Sequence, residues 1–354
     1  MERLMTDLKT GGSQGYLRIA TEEAWATQEQ LDAIVRLVRE GRADKGTQSL
    51  WGFYGTSPSE RTTFIRERLL DIGPLRIQAM DESGIDKAVL ALTSPGVQTL
   101  FDLDEARGIA SRSNDQLAAA CERYPDRFHG MTAICPQDAD WSAAELRRGK
   151  EELGMVGVQV NSHTHGHYLD EPQFDPILRA CADMDIPLYI HPQGPPDAMI
   201  GGMVEAGLEG AIFGFAMETS YHALRLLTGG VFDRYPGLKL VLGHGCEGLP
   251  FWIDRFDYMH QAGIRSGRYE RMKPQRHSLH HYLRTNVWGT NSGLPSPASI
   301  RLMMEVMGED RVLYAMDYPY QFVTDEVRLL DAMDMAPAAK RKFFQTNAEA
   351  LFGI

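Results

Sequence analysis

The chain has 354 residues, 43% of them hydrophobic, enough for one large barrel or for two ordinary domains. Lys and Arg number 36 against 48 Asp and Glu, and the net charge of −12 argues against nucleic acid or an anionic membrane as the main partner. Cys121, Cys135, Cys181 and Cys246 lie far apart with no CxxC pair, so neither a zinc ribbon nor a disulfide framework is indicated and a reducing cytoplasm is the expected location.

The N-terminal stretch MERLMTDLKTGGSQG has mixed charge and no apolar h-region, and no later run is long enough for a membrane span. A soluble chain is expected, with residues 1–15 as a loosely held leader. Tyr16 to Ala20 reads as a first strand that runs into Glu22 and Glu23. Residues 27–62 mix turn formers with aromatics (GRADKG, WGFYGTSPSER) and read as an extended active-site loop after strand 1, with Arg61 near its end. Residues 63–83 are helical in pattern, interrupted near Gly73-Pro74. KAVLAL (87–92) is a second strand and 104–124 an amphipathic helix.

Strand and helix then alternate. Strands are expected over 128–135, 156–160, 187–190, 239–243, 286–289 and 311–316. Helices are expected over 139–153, 174–184, 211–228, 249–260, 299–307, 326–333 and 338–351. Eight short apolar strands alternating with helices, without a linker-like break, favour a single (β/α)₈ TIM barrel spanning 1–354 over two doubly wound domains.

In such barrels the catalytic groups project from the C-terminal ends of the strands. Glu22, His191, His244 and Asp317 fall there, at strands 1, 5, 6 and 8. Asp317 follows the apolar run Val312 to Met316, and a carboxylate buried there needs a metal ion, a cation or a polar network. Taken alone, Asp317 could instead cap a helix opened by Pro319. Two carboxylates and one or two imidazoles at one mouth can hold a divalent cation, and the oxygen-rich set favours Mn²⁺, with Zn²⁺ as the other candidate.

TEEAWA at strand 1, YIHP at strand 5, LGHGCEGLP at strand 6 and YAMDYPY at strand 8 resemble the metal-dependent decarboxylase branch of the amidohydrolase superfamily. That branch contains aminocarboxymuconate semialdehyde and γ-resorcylate decarboxylases. The resemblance implies an amidohydrolase-like barrel that removes CO₂, without oxidation, from an ortho-hydroxy aromatic acid of lignin catabolism. It makes Glu22, His191 and Asp317 the ligands of one metal, with no organic cofactor. Many members carry His-x-His at strand 1, where this chain has Glu22 and Ala24, as expected for this branch. His244 and Glu247 match a proton-handling pair, while Gly245-Cys246 departs from the expected Met-Gly between them. Asp317 is expected to deliver the proton.

A second carboxylate on the substrate needs its own cation, and Arg61 and Arg255 are the candidates, since planar guanidinium pairs well with carboxylate. By the resemblance Arg255 acts across the interface of a homodimer or dimer of dimers. Tyr320 is a candidate hydrogen-bond partner. His163, His165 and His167 imitate a metal-binding pair but read as a rim loop, with His163 the one expected to touch substrate. Gly201-Gly202 and Gly229-Gly230 lack phosphate-loop spacing. A hydrolase on the same barrel and a non-catalytic barrel that binds a phenolic acid are the competing functions; Glu22 with Ala24 weakens the first, and the full set of ligands weakens the second.

Overall fold

The structure, a computed structural model, describes residues 11, 12, 14–270 and 272–354. The leader expected over 1–15 lies largely outside the described residues. Strands β1 (Ile19–Trp25), β2 (Lys87–Leu92), β3 (Phe128–Ala133), β4 (Gly157–Asn161), β5 (Leu188–His191), β6 (Leu240–Leu242), β7 (Val287–Thr290) and β8 (Val312–Leu313) pair in parallel, each with the next. The seam between β8 and β1 is joined by other bonds. The Thr21 N–H and hydroxyl both donate to Tyr314 O (3.0 and 2.9 Å), and the Ala24 N–H donates to Tyr318 O (2.8 Å). The expected (β/α)₈ barrel is therefore present.

The strands read as continuous apolar runs because both faces are covered. Ile19, Val89, Met131, Tyr189, Val241, Trp288 and Leu313 fill the barrel interior together with Leu351 and Phe352, and Phe352 lies against Gly157 at the start of β4. The opposite faces, among them Ala88, Leu90, Val158, Ile190 and Leu240, join the surrounding helices in the larger core. Side chains alternate along a strand, so the inward Tyr189 puts His191 inward as well.

Several boundaries differ from expectation, each for a local reason. β1 continues through both acids to Trp25, because a register shift between Ala20 and Glu23 lets the ladder with β2 resume beyond them. β8 has only two residues in its ladder. Beyond it the Tyr314 N–H goes to Phe343 O, the Ala315 N–H to Asn291 Oδ1 and the Met316 N–H to Glu23 Oε1. No helix opens at Pro319; the next one is Thr324–Asp331, so Asp317 is not a helix cap.

The excursion after β1 is largely helical, built from Gln28–Arg39, Lys45–Tyr54 and Glu60–Leu70. Thr27, Asp44 and Ser59 cap these helices, each side chain accepting an N–H three residues on. Between the strand expected over 187–190 and the helix expected over 211–228, Asp197–Ala206 is a further helix, and it contains Gly201-Gly202.

The loop after β4 is anchored to the helix Gly214–Thr228. The Ser162 and Tyr168 hydroxyls both donate to Glu218 (3.0 Å each), and His222 accepts the Leu169 N–H at 3.1 Å. Glu218 is fully buried, and burial raises its carboxyl to about 7 from an ordinary 4.5, the two hydroxyls partly opposing the rise. The fold thus prefers the neutral acid. Between pH 4.5 and about 7 the unfolded chain releases this proton while the folded chain keeps it, so stability falls; above about 7 the loss stays near ~3 kcal/mol. Glu218→Gln, neutral throughout, should therefore lose less stability than the parent between pH 5 and pH 8 in urea unfolding. An identical loss in both proteins contradicts this account.

Candidate metal centre and active site

Glu22 is the centre of the barrel mouth. Its Oε2 accepts the Thr290 hydroxyl at 3.1 Å and, more closely, the Tyr189 hydroxyl. Its Oε1 is buried and has no hydrogen-bond donor among the described residues. That oxygen lies 3.6 Å from His191 Nε2 and 3.6 Å from His244 Nε2, and the His244 nitrogen lies 3.8 Å from Asp317 Oδ2. Glu22, His244 and Asp317 each offer a ligand atom, all within 4.8 Å of one another. Four of the expected strand-end residues thus meet in one place.

The two imidazoles differ chemically. His191 Nδ1 is 2.9 Å from Pro192 O, and a carbonyl only accepts, so Nδ1 is the donor there and Nε2 is the nitrogen turned toward Glu22. Nε2 and Glu22 Oε1 are thus placed to share a cation. His244 Nδ1 instead meets the carboxylate Glu247 Oε1 at 2.9 Å. Burial works against a charge on His244, yet Glu22 and Glu247 outweigh it and hold the ring well above the usual imidazole value. A protonated His244 presents N–H donors on both sides and no lone pair. His191 therefore suits a metal and His244 suits a proton. Burial also pushes the Asp317 carboxyl up, with His244 drawing it back and Glu22 adding to the rise.

His244 pairs with Glu247 because the chain between them forms a left-handed turn. His244, Gly245, Cys246, Glu247 and Gly248 have φ values of 49, 69, 53, 50 and 79°. Three of these residues are not glycine, and each such residue costs ~1–3 kcal/mol. The Gly245 N–H donates to Thr290 O at 2.8 Å, and the buried Cys246 thiol packs against Met307, in space left open because residue 289 is glycine. The Gly-Cys departure seen in the sequence thus supplies the permissive residue and the small one that this turn needs.

A cavity of about 280 Å³ opens beside the cluster. His191, His244, Asp317 and Gly293 form its floor, Arg61, Ser94, Tyr320 and Gln321 a polar side, and Leu50, Tyr54, Ala211 and Phe215 an apolar one. The volume is at the small end for ligand pockets and suits one substituted ring. Arg61 is exposed at the rim and donates to Tyr320 O at 3.0 Å. Tyr320 shares a 2.7 Å hydrogen bond with the Thr93 hydroxyl.

Two expected residues lie elsewhere in this chain. Arg255 sits on the exposed face of the helix Leu249–Ser266 and does not line the cavity. His163 does not reach the cavity either, which corrects its expected contact with substrate. Its Nδ1 accepts the Gly166 N–H at 3.2 Å and its Nε2 donates to Gly194 O at 3.1 Å, so both nitrogens are used in holding the loop. His165 stacks on Phe101 and His167 pairs with Glu171, so the three histidines diverge. Sequence reasoning missed Tyr189 and Thr290, whose signal is their inward register on β5 and β7; it also missed Leu50 and Tyr54, which come from the unexpected helix Lys45–Tyr54, and Phe215, at the start of the expected helix Gly214–Thr228.

An amidohydrolase family model matches residues 67–354. The chain belongs to the amidohydrolase family. This amidohydrolase is similar to γ-resorcylate decarboxylase of Rhodococcus jostii (strain RHA1), 36% identical over 302 residues, 82% of this chain and 90% of that protein. Among solved structures it resembles 5-carboxyvanillate decarboxylase of Novosphingobium aromaticivorans DSM 12444, complexed with manganese and 4-hydroxy-3-methoxy-5-nitrobenzoic acid. Identity there is 63%, with 99% of this chain and 100% of that chain covered and a TM-score of 0.98. The 5-carboxyvanillate decarboxylase of Sphingomonas paucimobilis matches at 35% identity, 96% and 99% coverage and a TM-score of 0.90.

Tyr189→Phe removes one of the two donors that leave Oε1 as the free oxygen of Glu22. Divalent-cation affinity, read by calorimetric titration of Mn²⁺, should fall about 10-fold or more with the fold intact. Unchanged affinity would mean that Glu22 needs no such orientation.

Proposed function

We propose that this amidohydrolase is a metal-dependent, non-oxidative decarboxylase that converts 5-carboxyvanillate to vanillate and CO₂. The observation that carries the reading is the donorless Oε1 of Glu22, facing His191 Nε2 beside a ring-sized cavity. The likeness to the manganese-bound 5-carboxyvanillate decarboxylase supports it. Glu22, His191 and Asp317 are the ligands of one divalent ion, Mn²⁺ in preference to Zn²⁺ given the carboxylate-rich set.

When bound, the cation supplies positive charge that draws the phenolic oxygen and the departing carboxylate to the floor of the cavity. Asp317 delivers a proton to the ring carbon that bears the carboxylate. The bond from that carbon to CO₂ then breaks, and its electron pair restores the aromatic ring. His244, held by Glu247 at Nδ1, returns a proton to Asp317 from Nε2. Arg61 and Tyr320 face the carboxylate that stays, and Leu50, Tyr54 and Phe215 take the apolar edge of the ring.

Arg255 completes this site from a second copy. The outer face of its helix exposes Phe251 (68%), Trp252 (48%), Tyr258 (68%) and Met259 (49%), an apolar surface of the kind that interfaces cover. A homodimer, alone or paired into a tetramer, would bury it. Among the described residues no helix is long and apolar enough to cross a membrane, and the four cysteines are free, which agrees with the cytoplasmic location we propose.

The test is an ultraviolet assay of vanillate formation coupled to CO₂ detection on Mn²⁺-loaded protein. Stoichiometric release of both products is expected, with turnover falling by at least 10³-fold in Asp317→Asn while the cavity still binds aryl acid. Water consumption without CO₂, or ordinary turnover in Asp317→Asn, contradicts the reading. Mixing Arg255→Ala with Asp317→Asn should restore part of the activity, since hybrid dimers hold one intact site; no restoration counts against the shared site.

A further inference from the structure

Asp317 occupies a conformation that its own strand does not impose. Its φ is +71°, in the left-handed region that an aspartate rarely adopts, and it follows a β8 ladder that has already ended at Leu313. Beyond Leu313 the segment belongs to no regular ladder and meets β1 through separate bonds at Tyr314 and Tyr318, yet the Asp317 side chain has to face Glu22 and His244.

The constraint comes from the residue beside the proposed ligand on β1. Glu23 is 3% exposed, and its two carboxylate oxygens are divided between the N–H groups on either side of Asp317. Oε1 accepts from Met316 at 3.0 Å and Oε2 from Tyr318 at 3.2 Å. Backbone bonds flank this grip, since Tyr314 O accepts the Thr21 N–H and Tyr318 O accepts the Ala24 N–H. Where the seam has no backbone acceptor, the two carboxyl oxygens of Glu23 substitute for one. The register shift between Ala20 and Glu23 lets adjacent acids serve opposite sides of β1, Glu22 toward the mouth and Glu23 toward the helix Pro74–Ser83.

Arg76 of that helix backs the arrangement. It is 1% exposed, donates to Ala24 O at 2.6 Å and lies 4.7 Å from the Tyr318 ring. Glu23 and Arg76 line the same small internal cavity; burial pushes the Glu23 carboxyl up to about 8, with the two N–H groups and Arg76 opposing the rise.

We infer that Glu23 is a positioning residue, holding the Asp317 carboxylate in place through the Met316 and Tyr318 N–H groups. The inference rests on the decarboxylase reading for its effect on turnover, but its effect on metal binding does not depend on any substrate. Glu23→Gln keeps the size but offers one acceptor, and its amide would turn a donor toward the other N–H. Glu23→Asp keeps both acceptors but is one methylene shorter. The experiment measures Mn²⁺ affinity by electron paramagnetic resonance, kcat and KM on 5-carboxyvanillate, and thermal melting for both variants.

Glu23→Gln should melt cooperatively, lose about 10-fold or more in Mn²⁺ affinity and in kcat, and change KM less than threefold, because Arg61 and the apolar wall are untouched. Glu23→Asp should lie between it and the parent, and it carries the same test if Glu23→Gln does not fold. Folded variants with unchanged Mn²⁺ affinity and kcat overturn the inference. So does a loss in which KM rises and kcat stays. If the parent binds Mn²⁺ but releases no CO₂, the decarboxylase reading fails, and the affinity comparison still decides the role of Glu23.

Discussion

A carboxylate oxygen buried without a donor is the constraint on which the barrel mouth depends. Glu22 Oε1 faces two imidazole nitrogens at 3.6 Å and stands close to a second acid, Asp317. Burying a lone charge costs several kcal/mol, and burying two acids together costs more. His244, charged through Glu22 and Glu247, relieves part of this. Tyr189 and Thr290 spend their donors on Oε2, and Pro192 accepts from Nδ1 of His191, which leaves Glu22 Oε1 and His191 Nε2 directed at one place. A divalent cation there compensates the negative charge that remains.

Around that centre the chain uses strained backbone to aim side chains. Five consecutive residues from His244 to Gly248 have positive φ, and Asp317 has one too. The left-handed turn brings Glu247 under His244 and leaves Nε2 directed at Glu22 and Asp317. Such conformations persist where neighbouring bonds over-determine them. At the turn these are the Gly245 bond to Thr290 and the packing of Cys246, and at Asp317 the paired acceptors of Glu23. Glu22 and Glu23, adjacent in the chain, thereby serve different ends: Glu22 faces the imidazoles at the mouth and Glu23 holds the backbone on either side of Asp317.

The fold was legible because parallel strands covered on both faces leave short apolar runs, and all eight were located within a few residues. The residues that meet at the barrel mouth, Glu22, His191, His244 and Asp317, were legible for a related reason, since each follows or ends such a run. The helices Gln28–Arg39 and Lys45–Tyr54 were not read, because GRADKG and WGFYG look like loop sequence; their caps at Thr27 and Asp44 were the available signal. Tyr189 and Thr290 could not be weighed without register, as nothing in a strand's composition says which inward hydroxyl meets an acid. His163 misled because its neighbours are polar, whereas its ring is spent on Gly166 and Gly194. Left-handed stretches such as 244–248 leave almost no trace beyond their glycines.

The most direct test of the central claim is anomalous diffraction at the manganese edge from crystals grown with Mn²⁺. The account predicts one peak within bonding distance of Glu22 Oε1, His191 Nε2 and the Asp317 carboxylate, with His244 left bound to Glu247. A peak bonded to His244 in place of His191, or no peak at the barrel mouth, would contradict it.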